Sequence, residues 1–236
     1  MHEYIVRESP RAKRVLIKLS PREGLVVVVP RGFDHDRIPS LVREKNAWIE
    51  RKTAELEARR ASIETEPPDS MPTRLLLRGL GEEWAVGYLP GDSPLPRTTV
   101  IEGSENTLLV CGRPKNPCEC AAALRPWLGR KTHHHIRPWL TDLAEEHGFE
   151  FNRVFVRAQK TRWASCSSHL NISLNLKLLF LPEDLVRYVL LHELCHTVHL
   201  NHSREFWDLL SRCLPDYAGS NKRLRNAGEY VPAWLD

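Results

Sequence analysis

Four histidines and a glutamate crowd together in His192-Glu193-Leu194-Cys195-His196 and the His199 and His202 that follow. Imidazole is the commonest metal ligand in proteins, and residues four apart on a helix project from one face. His192 and His196 can therefore reach a single ion at about 2.0–2.1 Å, the usual zinc–imidazole bond length. Glu193, the next residue along, stands where a general base is needed. In H-E-x-x-H helices this carboxylate does not ligate the metal but takes a proton from the attacking water. The chemistry indicated is zinc-dependent hydrolysis with one ion per chain. A catalytic zinc takes three protein ligands and leaves a fourth position open, and His199 and His202 compete for the third place. A continued helix would put His199 near the same stripe. His202 lies in Leu200-Asn201-His202-Ser203, a turn able to fold back on the ion, and geometry favours it.

The helix that must carry the motif is well signalled. Leu181-Pro182-Glu183-Asp184 places proline in the first turn, where its missing N–H costs nothing, and two acids at the positive helix end. Leu185, Val186, Val189 and Leu190 supply a buried face, so a helix is predicted from about Pro182 to Leu200. Ser203 can cap a second helix, reaching Leu214, with Phe206, Leu209 and Leu210 as its apolar residues. A single histidine on an apolar face is usually structural. Here the helix signals, the acid at the base position and the further histidines converge, which argues against chance.

Upstream, β-branched runs at Arg14–Leu19 and Leu25–Val29 predict a hairpin, and a helical period follows from about Ile38 to Arg60 with Pro39 in its first turn. Glu64 to Thr73 is proline-rich and reads as a linker. Short runs at Arg74–Leu77, Trp84–Tyr88, Thr98–Glu102 and Leu108–Cys111 predict a small antiparallel meander. Ala121 to Glu146 reads as helix, broken or kinked at Pro126 and Pro138. Phe151–Val156 and Leu170–Leu174 read as strands around a Ser/Cys-rich turn. The expected class is α+β, with a β-rich accessory region over residues 1–114 and a catalytic domain over 115–236.

Composition excludes more than it selects. The 236 residues, 42% hydrophobic and 27% charged, suit a soluble protein with one large or two small domains. A net charge of +4, spread along the chain, points only weakly to nucleic acid. The N-terminal stretch has no apolar h-region and no segment is apolar enough to span a bilayer, so a cytoplasmic location without a membrane partner is expected. Oligomeric state is not legible. The six cysteines form no paired CxxC framework; Cys118-x-Cys120 is a weak metal signal, and free thiols are the simpler reading. His133-His134-His135 point in different directions on a helix and read as a solvated face rather than a shared metal site.

Arg162-Trp163-Ala164-Ser165-Cys166-Ser167 has two readings. Arg162, Trp163 and Ser165 are candidate substrate-binding residues beside the cleft, with Arg162 pairing an acidic group or a substrate carboxylate. Alternatively, Trp163 packs the core and the serines satisfy a turn. With Ile172-Ser173-Leu174-Asn175, the His192–His196 motif and Asn201-His202-Ser203-Arg204-Glu205-Phe206-Trp207, this stretch resembles the YgjP-like metal-dependent hydrolases, relatives of the SprT-like zincin peptidases. The likeness is strongest from about Arg157 to Pro215 and departs at Ala164, where the family usually has Gly. It implies a zincin-like fold, His192, His196 and His202 as ligands, Glu193 as catalytic base, and a peptide or protein substrate. Metzincins share the His196-to-His202 spacing but carry Gly where this chain has His199. Two other functions stay open: a zinc hydrolase of a non-protein amide or ester, and a DNA- or protein-associated module whose zinc is structural.

Overall fold

The computed structural model describes residues 2–20, 24–62, 70–89, 98–112, 114 and 116–235, and the chain divides into two compact units, Met1–Thr65 and Glu66–Asp236. The division falls well before the expected boundary at 114/115. The reason is the core: Leu75, Leu77, Trp84, Val86, Leu108 and Val110 belong to the same apolar cluster as the helix bearing His192. The sheet expected to be accessory is thus part of the larger unit.

In the first unit, β2 (Leu16–Ser20) and β3 (Gly24–Val29) pair antiparallel as expected, while residues 21–23 of their turn lie outside the described residues. A strand not anticipated, β1 (Tyr4–Glu8), runs parallel to β3 and gives the order β1-β3-β2. The expected long helix is two, α1 (Ile38–Glu44) and α2 (Asn46–Ser62), parted at Lys45. Lys45 leaves helical geometry at ψ 10°, with its N–H shared between the Leu41 and Val42 carbonyls. Alternate residues of β3 (Leu25, Val27, Val29) meet Ile38, Val42 and Ile49 in this unit's core.

The second unit begins with β4 (Arg74–Leu77), β5 (Glu82–Leu89), β6 (Thr99–Glu102) and β7 (Thr107–Cys111). They form a mixed sheet, β4-β5-β7-β6, in which β5 and β7 are parallel, not the antiparallel meander expected. Burial explains the order. β7 carries fully buried Leu108 and Val110 and takes the interior, whereas β6 has mostly exposed residues and goes to the edge.

α3 (Pro117–Lys131) starts earlier than expected because Asn116 caps it, its side chain accepting from the Glu119 N–H at 3.0 Å. Pro126 sits within α3, and a π turn (Thr132–Ile136) leads into α4 (Arg137–His147), whose first turn holds Pro138. α4 stops at Gly148, which adopts φ 71°, a conformation few side chains tolerate. A second sheet, β8-β10-β9, follows from β8 (Val154–Arg157), β9 (Ala164–Cys166) and β10 (Ile172–Asn175). β10 is parallel to β8 and antiparallel to β9, which lies at the edge. The Ser/Cys-rich segment is therefore strand over Ala164–Cys166 and turn from Ser167, where the Leu170 N–H bonds the Ser167 carbonyl.

Three further helices complete the unit: α5 (Glu183–Cys195), α6 (Arg204–Cys213) and α7 (Tyr217–Leu224), the last not anticipated. α5 is buried nearly all round, from Leu185 to Cys195, and is the axis of the core. No helix among the described residues is long and apolar enough to cross a membrane.

Candidate metal centre and its cleft

α5 ends at Cys195 with His196 as its C-cap, short of the expected Leu200, and that ending builds the centre. The His199 N–H closes a last bond to the Cys195 carbonyl, and the chain turns through Thr197–Asn201 before α6. The turn carries His202 back over the helix. Its Nε2 lies 3.0 Å from His192 Nε2 and 3.2 Å from His196 Nε2. Two nitrogens bound tetrahedrally at 2.0–2.1 Å stand about 3.3 Å apart, so the spacing suits a zinc ion. Among the described residues this is the one group of three or more potential ligands that converges, with all ligand atoms within 4.8 Å of one another. His199 presents its backbone instead: its carbonyl accepts from His196 Nδ1 at 2.9 Å. With Nδ1 as donor, His196 directs a lone pair from Nε2 into the centre.

Burial disfavours the charged form of His192 and His196. It pushes His192 down to about 3, reinforced by His196 and His202, and lowers His196 as well. Neutral imidazole is the form that binds metal. Nδ1 of His192 is buried without a hydrogen-bond partner among the described residues, so packing orients that ring. Phe206 of α6 contacts all three imidazoles, with centroids at 5.0, 4.5 and 4.8 Å from His192, His196 and His202. Trp207 stacks on His202 at 5.5 Å and on Tyr217 at 5.4 Å. Phe206 had been legible only as an apolar position of α6; its role as a backing for the centre depends on how α6 crosses α5. Ser203 occupies the N-cap position, yet its side chain bonds the Glu205 carboxylate rather than a helix N–H.

Glu193 is buried, and burial pushes its carboxyl up to about 7, against the Cys166 N–H that hydrogen-bonds it and the nearby Arg162 guanidinium. Cys166 can donate because β9 is an edge strand. Ser167 N–H and the Trp163 carbonyl face β10, so by alternation the peptide groups of Ala164 and Cys166 face away from it. Cys166 is itself pushed up to about 11 by burial and then Glu193, which leaves its thiol protonated.

A cleft of about 220 Å³ opens beside Glu193, lined by Arg162, Trp163, Ala164, Tyr188, Val189, His192, Glu193, Asn221 and Leu224. Arg162 and Trp163 thus both line the cleft, and Trp163 also packs against the core. Ser165 pairs with Ser173 in the sheet and is not among the lining residues. His133, His134 and His135 are exposed on the π turn, away from this group, with His133 bonded to Arg137 at 2.9 Å.

Asn175 positions the cleft wall, a role unread in the sequence beyond its place in the motif. Its Nδ2 donates to the Gln159 and Arg162 carbonyls at 2.8 and 2.7 Å, and its Oδ1 accepts from the Lys177 N–H at 3.1 Å. Asn175→Ala strands these groups, and urea unfolding is expected to show a loss of about 2–4 kcal/mol. A loss below ~0.5 kcal/mol would show that the segment is held by other contacts.

A buried carboxylate beside three convergent imidazoles, in the wall of a cleft, defines the class of a metal-dependent hydrolase. The sequence model described as YgjP-like, metallopeptidase domain, matches residues 13–227. The chain belongs to this family of metallopeptidases. Among solved structures it is similar to the metallopeptidase zymogen of Pyrococcus abyssi abylysin, at 25% identity and a TM-score of 0.36, over 39% of this chain and 92% of that one. Comparison with curated proteins gives no match.

Proposed function

We propose that this chain is a zinc-dependent peptidase in which His192, His196 and His202 hold the ion and Glu193 is the general base. The observation that carries the reading is the approach of three imidazole Nε2 atoms beside one buried carboxylate. A zinc ion held there supplies a Lewis acid that lowers the pKa of water toward about 7 and polarises a carbonyl. Glu193 accepts the proton of the attacking water and delivers it to the leaving amine nitrogen. Cys166 N–H holds the carboxylate in line for both transfers. An extended peptide pairs with the outward peptide groups of Ala164, adding a strand to β9 next to the reacting centre.

Among the described residues three ligands converge rather than four, which favours catalysis over a structural zinc, whose sites are closed by a fourth ligand. The test is cleavage of an unbiased peptide library by protein whose metal has been assayed. Chelation is expected to abolish cleavage, and one equivalent of zinc to restore it. Zinc-loaded protein that leaves every peptide intact but opens small amides or esters would move the substrate outside peptides.

A further inference from the structure

The cleft beside Glu193 has walls from three elements. α5 contributes Tyr188, Val189, His192 and Glu193; β9 and its lead-in contribute Arg162, Trp163 and Ala164; α7 contributes Asn221 and Leu224. His196 and His202 are not among the lining residues, so the cleft extends from the metal centre toward the Tyr188 end of α5. α7 is tied to the start of that helix by the Arg223–Asp184 ion pair.

We propose that this cleft is a specificity pocket that seats one large apolar side chain, preferably aromatic, from a residue flanking the scissile bond. The inference rests on the peptidase reading and deepens it. Position follows from the wall: an occupant touching His192 and Glu193 lies beside the reacting atoms. Size follows from volume. A dry apolar cavity of about 150 Å³ admits a benzene ring, and this one measures about 220 Å³. Polarity follows from the charges present. Glu193 and the Arg162 guanidinium already face one another across the wall, so a lysine or arginine side chain would take Glu193 from its work as a base, while an acidic one would compete with Glu193 for Arg162. What remains is a neutral side chain against Trp163, Tyr188, Val189 and Leu224, rings and branched carbons suited to an aromatic guest.

Leu224 is the position that tests this, because it forms part of the wall and none of the metal centre. Zinc-loaded full-length protein would be assayed on peptides varied at the two residues flanking the cleaved bond. Phe is expected to exceed Ala at one of them by at least about tenfold in kcat/KM. Leu224→Trp fills the pocket and should lower that Phe-to-Ala ratio by about tenfold or more, whereas Leu224→Ala enlarges it and should raise Trp relative to Phe. Calorimetric binding of product peptides carrying Phe or Ala should follow the same order without turnover. A flat wild-type profile, or ratios unmoved in both variants at normal zinc content and circular dichroism, overturns the pocket. Wild-type protein that binds zinc and cleaves no peptide removes the peptidase reading, and the pocket with it.

Discussion

Glu193→Gln is expected to lower kcat by about 10²–10⁴-fold while zinc content stays at one per chain. The substitution keeps the size of the side chain, and an amide oxygen can still accept from the Cys166 N–H that holds the carboxylate. What it removes is proton acceptance, since an amide is not a base near neutral pH. The carboxylate ligates nothing in the proposed mechanism, so metal should be retained. Turnover and zinc stoichiometry measured on the same preparation check both halves. A variant as active as wild type would take Glu193 out of the chemistry, and one that lost its zinc would make it a structural support for the ligands.

The second large effect concerns the third ligand. His202→Ala is expected to weaken zinc binding by about 10²–10³-fold, a quarter of the roughly 10–16 kcal/mol that four-ligand zinc sites supply, with cleavage falling in step. His202 is exposed on the turn after α5, so its truncation should leave the fold intact. His199→Ala is the contrast. Its carbonyl, not its ring, meets His196, and a backbone acceptor survives the change. Competition against a chromophoric chelator would rank the two. Equal loss in both, or loss only in His199→Ala, would reassign the ligand set.

The difference between these two histidines also marks how far local pattern reaches. His192, Glu193 and His196 are related by helical periodicity alone, and the proline, acids and apolar stripe from Pro182 to Leu190 announce that helix; such relations are written within a few residues and survive without tertiary context. Whether the helix runs on to Leu200 is a different matter. The expected continuation would have kept His199 in contention, and it is the stop at His196 that folds His202 onto the other two rings. The two-strand pattern of β2 and β3 was legible for the same local reason, through alternation around a turn.

Non-local pairings were not. The parallel match of β5 with β7, the parallel addition of β1 to β3 and the boundary after Thr65 depend on which apolar face finds which partner, and no periodicity encodes a partner's identity. The same holds around the motif itself. Phe206 backing three imidazoles, Asn175 bracing Arg162, and Cys166 reaching Glu193 from an edge strand are contacts between segments far apart in the chain. Spacing along one helix was enough to set His192, Glu193 and His196 together at the end of α5. The burial that disfavours charge on His192 and His196, the donor that aims the carboxylate and the walls of the cleft arise from packing, because desolvation and long-range hydrogen bonds exist only once the core has closed.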